Sequence, residues 1–390
     1  MVREQVTGIQ PAILLWARKS AGLAVADVAR SLKRPEADIE AWEAGASAPS
    51  YAQLEKLAYQ LYRRPLAVFF LPAPPEEVMP QREFRTLPET DLQTLAPDTC
   101  MHIRRAHAHQ LSLRELFDST SPSERRIWQS VRISSSVDIA TQAQKIREFL
   151  GVRLDEQIKW KSDETALKKW RQAVESSGVF VFKAPFKQKD ISGFCLMDEQ
   201  FPLIYINNST SKTRQTFSLM HELAHLLLQV NGLSKFDSSY IQRLTQSEQQ
   251  IEQTCNAIAA ETLIPNSDFW TQAKLFPADI EKASEEQFSE LASRYGVSRE
   301  AVLRRFLDGG RVSSKFYELK AKQWSSQKTQ KPGGDWYSNQ GAYLSDRFAK
   351  EVVGRHFKHQ ISLEQAADFL GVKPKHYAGI EERVLGGSGS

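Results

Sequence analysis

The 390-residue sequence is poor in the residues that announce covalent or metal scaffolds, with three cysteines and eight histidines. Cys100, Cys195 and Cys255 lie far apart and form no C-x-x-C pair. That spacing excludes a disulfide framework and a cysteine zinc ribbon, so any metal has to be held by histidine and carboxylate. No run of about 18 apolar residues occurs, and the short N-terminal one, Ala12 to Ala17, has no small-residue cleavage site behind it. The expectation is a cytoplasmic protein with no membrane span. Charge of one sign is also scarce: the net charge is +4, too small to mark a nucleic-acid binder. Residues 300–385 carry 15 Lys and Arg against 10 Asp and Glu, which reads first as a solvated basic face. What remains is ordinary for a globular chain, 41% hydrophobic and 25% charged, and its length calls for two to four domains. The terminal GGSGS, 386–390, reads as an expression linker and is set aside.

Residues 1–71 read as a bundle of short helices. PAILLWARKSAG, VADVARSLK, EADIEAWEAG and YAQLEKLAYQLYR each place apolar residues three and four apart, and Gly22, Pro35, Gly45 and Pro49 punctuate them. With Trp42-Glu43-x-Gly45, Pro49 and Leu54-x-x-Leu57-Ala58, the stretch 8–71 resembles the XRE-type helix-turn-helix family. A helix that reads bases needs Arg, Asn or Gln at its face and must not repel phosphate. The segment Glu36 to Ala44 instead carries Glu36, Asp38, Glu40 and Glu43 and no basic residue. Protein docking or dimerisation is therefore expected of it, with phosphate contacts left to Arg18, Lys19, Arg30, Lys33 and Arg34 on a neighbouring face.

A connector follows at 72–91, where Pro72, Pro74, Pro75, Pro80 and Pro88 deny helix and stiffen the chain as a spacer. Residues 92–177 read as helical, with amphipathic runs at Asp98 to Phe117, Asp138 to Leu150 and Asp163 to Glu175. His102, His107 and His109 fall in the first run, and His107 and His109, two apart, point to different helix faces, so surface or packing roles are expected of all three. The period then changes. VFVFKAPF after Gly178, ISGFCLMD and PLIYINN are short β-branched and aromatic runs, the pattern of a three-stranded antiparallel sheet whose edge can accept an extended peptide.

A helix from about Ser209 to Val230 contains FSLMHELAHLLLQ. Four residues turn a helix by about 400°, so His221 and His225 stand one above the other and their imidazoles can meet one cation. Glu222 lies off that line, where it can reach a metal-bound water instead; this is the H-E-x-x-H arrangement of two ligands and a general base. Two buried neutral histidines would leave Glu222 in apolar surroundings without a partner, so a metal site at 178–284 is the better account. A third ligand is needed, and a second helix, about Ser247 to Leu263, offers Glu248 and Glu252 on one face. Spacing does not choose between them. Arg214, two turns before His221, is a candidate oxyanion stabiliser; its alternative is a surface arginine paired with a carboxylate.

FSLMHELAHLLL followed by IEQTCNAIAAETLIP, preceded by ISGF and PLIYINNSTSKTRQTF, resembles the ImmA/IrrE family of zinc-dependent metallopeptidases. The N-terminal module, the REFRTL connector and the tail segments GGDWYSNQGAYLSDRF and AADFLGVKPKHY are similar to its longer members. The resemblance implies an α+β, mostly helical zincin-like core with zinc held by His221, His225 and Glu252, and Glu222 as catalytic base. Thr254-Cys255 departs from a more usual Glu-Ala pair, and Cys255 reads as a small buried hydrophobe. Two C-terminal units within 285–385, Glu285 to Gly310 with Arg299, Arg304 and Arg305, and Ile361 to Glu382 with Gly371 at its turn, look like further helix-turn-helix modules for docking or for DNA. The function implied is a regulatory endopeptidase that cleaves one protein partner, such as a DNA-binding repressor encoded nearby. The alternative is a non-catalytic zinc regulator, antitoxin-like, that binds DNA or a toxin.

Overall fold

A computed structural model describes residues 5–76, 83–84, 86–160, 162–326 and 343–386. Outside these residues lie 1–4 of the N-terminal module, 77–82 and 85 of the connector, 161 of the helical region, 327–342 of the C-terminal region with its tail segment from 333, and the linker at 387–390. The chain divides into two compact units, Met1–His107 with Phe186–Asp190, and Ala108–Pro185 with Ile191–Ser390.

In the first unit, helices α1 (Pro11–Ser20), α2 (Val25–Leu32), α3 (Glu36–Ala44) and α4 (Tyr51–Glu55) enclose one core, and α4 continues into a π-helical stretch, Lys56–Tyr62. Ile13, Leu14, Ala17, Val28, Ile39, Trp42, Leu54, Leu57 and Phe69 build that core. Gly45 ends α3 with φ 77°, and a Cβ there would stand 3.0 Å from Pro11 Cγ, so both conformation and space ask for glycine. Arg18 grips Glu43 through two bonds of 2.6 and 2.8 Å, with both side chains about nine-tenths buried, which ties α1 to α3. Asp38 is paired with Arg34 at 3.3 Å. Two of the four acids of α3 are thus engaged internally, leaving Glu36 and Glu40 exposed. Phe84 and Leu87, within the stretch read as a spacer, are buried. Helix α5 (Pro97–Leu116) follows, and Gln188 Oε1 accepts from Ala96 N and Thr99 Oγ1. His102 is buried and stacks on Phe186, and His107 meets Glu83 at 3.0 Å.

The second unit is built around a sheet of β1 (Phe180–Ala184), β2 (Ile191–Leu196), β3 (Leu203–Asn207) and β4 (Gly232–Lys235), in the order β1-β3-β2-β4. This corrects the expectation of three antiparallel strands. Strands β2 and β3 form an antiparallel hairpin, but β1 pairs parallel to β3 and the chain passes over β3 to reach β2. Three apolar runs satisfy burial in either arrangement; what selects this one is the register that sets Phe182 beside Tyr205 and Tyr205 beside Phe194. These rings stack at 5.5 and 5.1 Å, and His109 packs on Phe182 at 4.1 Å on the same face. The alternate residues Val181, Ile204 and Cys195 join the aliphatic core with Leu219 and Leu223. The fourth strand, GLSK, is too short and polar to show a period, and it adds to β2 with a register shift between Ile191 and Gly193.

Against this sheet lies α6 (Lys212–Leu227), with 13 of its 16 residues buried, a helix enclosed on nearly all sides and therefore rigidly held. Its partner α7 (Gln246–Leu263) begins in a capping box, Thr245 with Glu248. The last carbonyls of α7 are not left to solvent: Arg147 donates to Thr262 O at 2.7 Å and Gln157 to Leu263 O at 2.9 Å. The same core continues through α8 (Glu285–Tyr295) and α9 (Arg299–Asp308), which contribute Phe288, Leu291, Val302, Leu303 and Phe306. The three arginines that gave this segment its positive charge are engaged within the protein. Arg299 pairs with Glu285 and Arg304 with Asp308, both at 2.9 Å, while Arg305 pairs with Glu261 and donates to Ile264 O. Helix α10 (Asp346–Phe357) follows the segment left undescribed, and Arg171 of the core bonds to Leu344 O just before it. No helix among the described residues is long and apolar enough to cross a membrane.

Candidate metal centre

The helical geometry that aligns two side chains four residues apart brings His221 Nε2 and His225 Nε2 to 3.1 Å. Helix α7 brings up the third group. Glu252 Oε2 stands 3.4 Å from His221 Nε2, and Oε1 stands 3.3 Å from His225 Nε2. Glu248 does not reach the histidines, because its carboxylate accepts from Thr245 N at 3.0 Å and caps the helix. The choice that spacing left open is thus resolved in geometry: one glutamate serves the helix end and the other faces the imidazoles. His221 is 5% exposed, and Glu222, His225 and Glu252 are fully buried.

Buried polar atoms normally find partners, and here several do not. Both oxygens of Glu222, Oε1 of Glu252 and Nδ1 of each histidine lack a hydrogen bond. Burial opposes charge on Glu252 and on His221, yet the interaction between them prevails. Burial raises the Glu252 carboxyl, but the charges and bonds of His225 and His221 hold it well below the usual range. Burial works against a cationic His221, but the bond to Glu252 and the nearby carboxylates raise it on balance. A pocket that asks for positive charge amid two imidazole nitrogens and a carboxylate oxygen fits a divalent cation, and these three side chains could hold one.

Three features of the centre gave no sequence signal. Tyr240 lies on a 3-10 turn, Ser238–Arg243, in the loop between α6 and α7. It is 3% exposed, and its hydroxyl donates to Glu252 Oε2 at 2.8 Å. Burial, then the charge of Glu252, push its phenol well up, so it keeps the proton that it donates. Gly193 and Gly232, on neighbouring strands, make the slot in which Glu222 lies. A Cβ on Gly232 would stand 2.5 Å from His225 Cδ2 and 3.0 Å from Glu222 Oε2, and one on Gly193 would stand 2.6 Å from Tyr205 O and 3.7 Å from Glu222 Cγ. No periodic pattern marks either position; only the approach of strand to helix does.

Other candidates fall elsewhere. Arg214 pairs with Glu300 at 3.3 Å and lies over the Phe236 ring at 4.9 Å, the surface ion pair that was its alternative reading. Cys255 is fully buried in the core. His109 bonds Tyr205 OH at 3.2 Å, a packing role. No curated protein matches the chain. Residues 174–307, which span the sheet, both helices of the centre and the arginine-bearing helices after them, match the family model of the IrrE N-terminal-like domain, Peptidase_M78, a family of metal-dependent peptidases.

Proposed function

We propose that this domain is a zinc-dependent endopeptidase that cleaves one protein partner, such as a DNA-binding repressor, which the helical segments outside it recruit. The reading is carried by one observation: His221, His225 and Glu252 converge beside Glu222, whose two oxygens are free of hydrogen bonds. Zinc, when bound, supplies Lewis acidity toward a water molecule and a peptide carbonyl. His221, His225 and Glu252 would hold it. Glu222 takes the proton that the water gives up and returns it to the amine nitrogen as the peptide bond breaks. The slot formed by Gly193 and Gly232 keeps other side chains away from that carboxylate.

The near-complete enclosure of the centre favours a second reading, a non-catalytic zinc regulator or antitoxin-like protein that binds DNA or a toxin. Of the basic residues that could contact DNA, Arg18, Arg34, Arg299, Arg304 and Arg305 are engaged in ion pairs. The two readings separate on zinc content and cleavage, measured on the natural chain and on Glu222→Gln with the proteins encoded beside it as substrates. The peptidase reading expects about one zinc in each chain and cleavage by the natural one alone. Zinc in both with cleavage by neither transfers the case to the second reading.

A further inference from the structure

The centre contains one buried hydroxyl that the proposed reaction does not use. Tyr240 sits in the loop that joins the two ligand-bearing helices, and its only polar atom is directed at Glu252. Glu252 Oε1 has no hydrogen-bond partner, while Oε2 has this one. A carboxylate on three rotatable bonds, fully buried, is held in one orientation by whatever donates to it. The phenol is itself fixed: it is 3% exposed, and the turn carrying it is capped by Asp237 accepting from Ser239 N at 2.8 Å.

We propose that Tyr240 is a positioning residue for Glu252, orienting its carboxylate so that Oε1 faces His225 and Oε2 faces His221 and a metal ion meets a prearranged third donor. The inference rests on the reading of His221, His225 and Glu252 as metal ligands. Partners that orient metal ligands from outside the coordination sphere change metal affinity about 10- to 100-fold when removed. Tyr240 also makes the loop between α6 and α7 part of the centre: whatever displaces that turn withdraws the donor. The third ligand is thereby linked to a segment that carries no ligand itself.

The test is zinc affinity of the full chain by competition with a chromogenic chelator, for the natural protein and for Tyr240→Phe, which keeps the ring and removes only the hydroxyl. The expected result is zinc binding about 10- to 100-fold weaker in the variant, with a shifted visible spectrum when cobalt replaces zinc, because that spectrum reports donor geometry. Equal zinc affinity and an unchanged cobalt spectrum would mean that Tyr240 only packs, and the inference would be overturned. If the variant is unfolded without metal, its folding is titrated with zinc instead, since metal that binds only the folded chain adds to folding stability and reports the same affinity. Failure of the natural chain itself to bind zinc is a different outcome: it removes the proposed metal centre, and this inference with it.

Discussion

Replacing Gly232 by alanine adds one carbon at the tightest approach in the centre. That carbon would stand 2.5 Å from His225 Cδ2, 2.6 Å from His225 Cγ and 3.0 Å from Glu222 Oε2. Carbon atoms rest about 3.5–4.0 Å apart, so ring and strand must separate by at least about 1 Å. Neither is free to move. His225 is fully buried on a helix enclosed nearly all round, and Gly232 is held in β4 by its pairing with Cys195 of β2. Overpacking of this kind costs about 1–3 kcal/mol, while ligand distances in a metal site tolerate only about 0.2 Å. The stability loss should therefore be moderate and the loss of metal severe. Denaturant unfolding of the metal-free chain measures the first, and zinc stoichiometry by elemental analysis the second. Gly232 has no positive φ, so backbone strain does not confuse the result. A Gly232→Ala chain with natural stability and a full complement of zinc would refute the argument that this glycine exists to make room for His225 and Glu222.

Gly354 offers the opposite case. It lies inside α10 with nothing within 4 Å of an added Cβ and no positive φ, so Gly354→Ala should stabilise the protein by about 0.5–1 kcal/mol, read as a higher denaturation midpoint. A pH effect is expected from Glu175, 5% exposed and pushed up to about 7 chiefly by burial, with Arg171 partly opposing. Its folded value lies above its ordinary 4.5, so the folded chain keeps a proton that the unfolded chain releases, and stability falls as pH rises from about 4.5 to about 7. Glu175→Gln removes that dependence. Its stability relative to the natural chain should climb across this window, by at most about 3 kcal/mol, and stay level above it. Unfolding curves at a series of pH values check the sign, and a difference that is flat or falls with pH would refute it.

The legibility of this protein differs element by element. The order of helices in 11–62 and the run from α6 to α7 follow from apolar residues at three- and four-residue spacing, because one face of each must be buried whatever it packs against. The strands were legible as strands but not as a sheet. Runs buried on both faces carry no alternation to set their partners, and β4 with four residues carries almost no signal. Acidic residues of α3 counted as a repulsive surface proved to be partly internal, since Glu43 belongs to Arg18 twenty-five positions earlier.

At the centre, local geometry settled what lies within one helix. Residues four apart on a helix share a face, so His221 and His225 were bound to meet and Glu222 to stand aside, whatever surrounds them. Selection of Glu252 over Glu248, the donation from Tyr240, and the room made by Gly193 and Gly232 depend on how α7, the loop and two strands approach α6. Those are contacts between segments whose separation along the chain has no fixed relation to their separation in space. Helix spacing by itself therefore determined the pair of imidazoles and their neighbouring carboxylate; Glu252 was legible only through the family resemblance, and the tertiary structure decided that it, and not Glu248, faces the imidazoles and that Tyr240 donates to it.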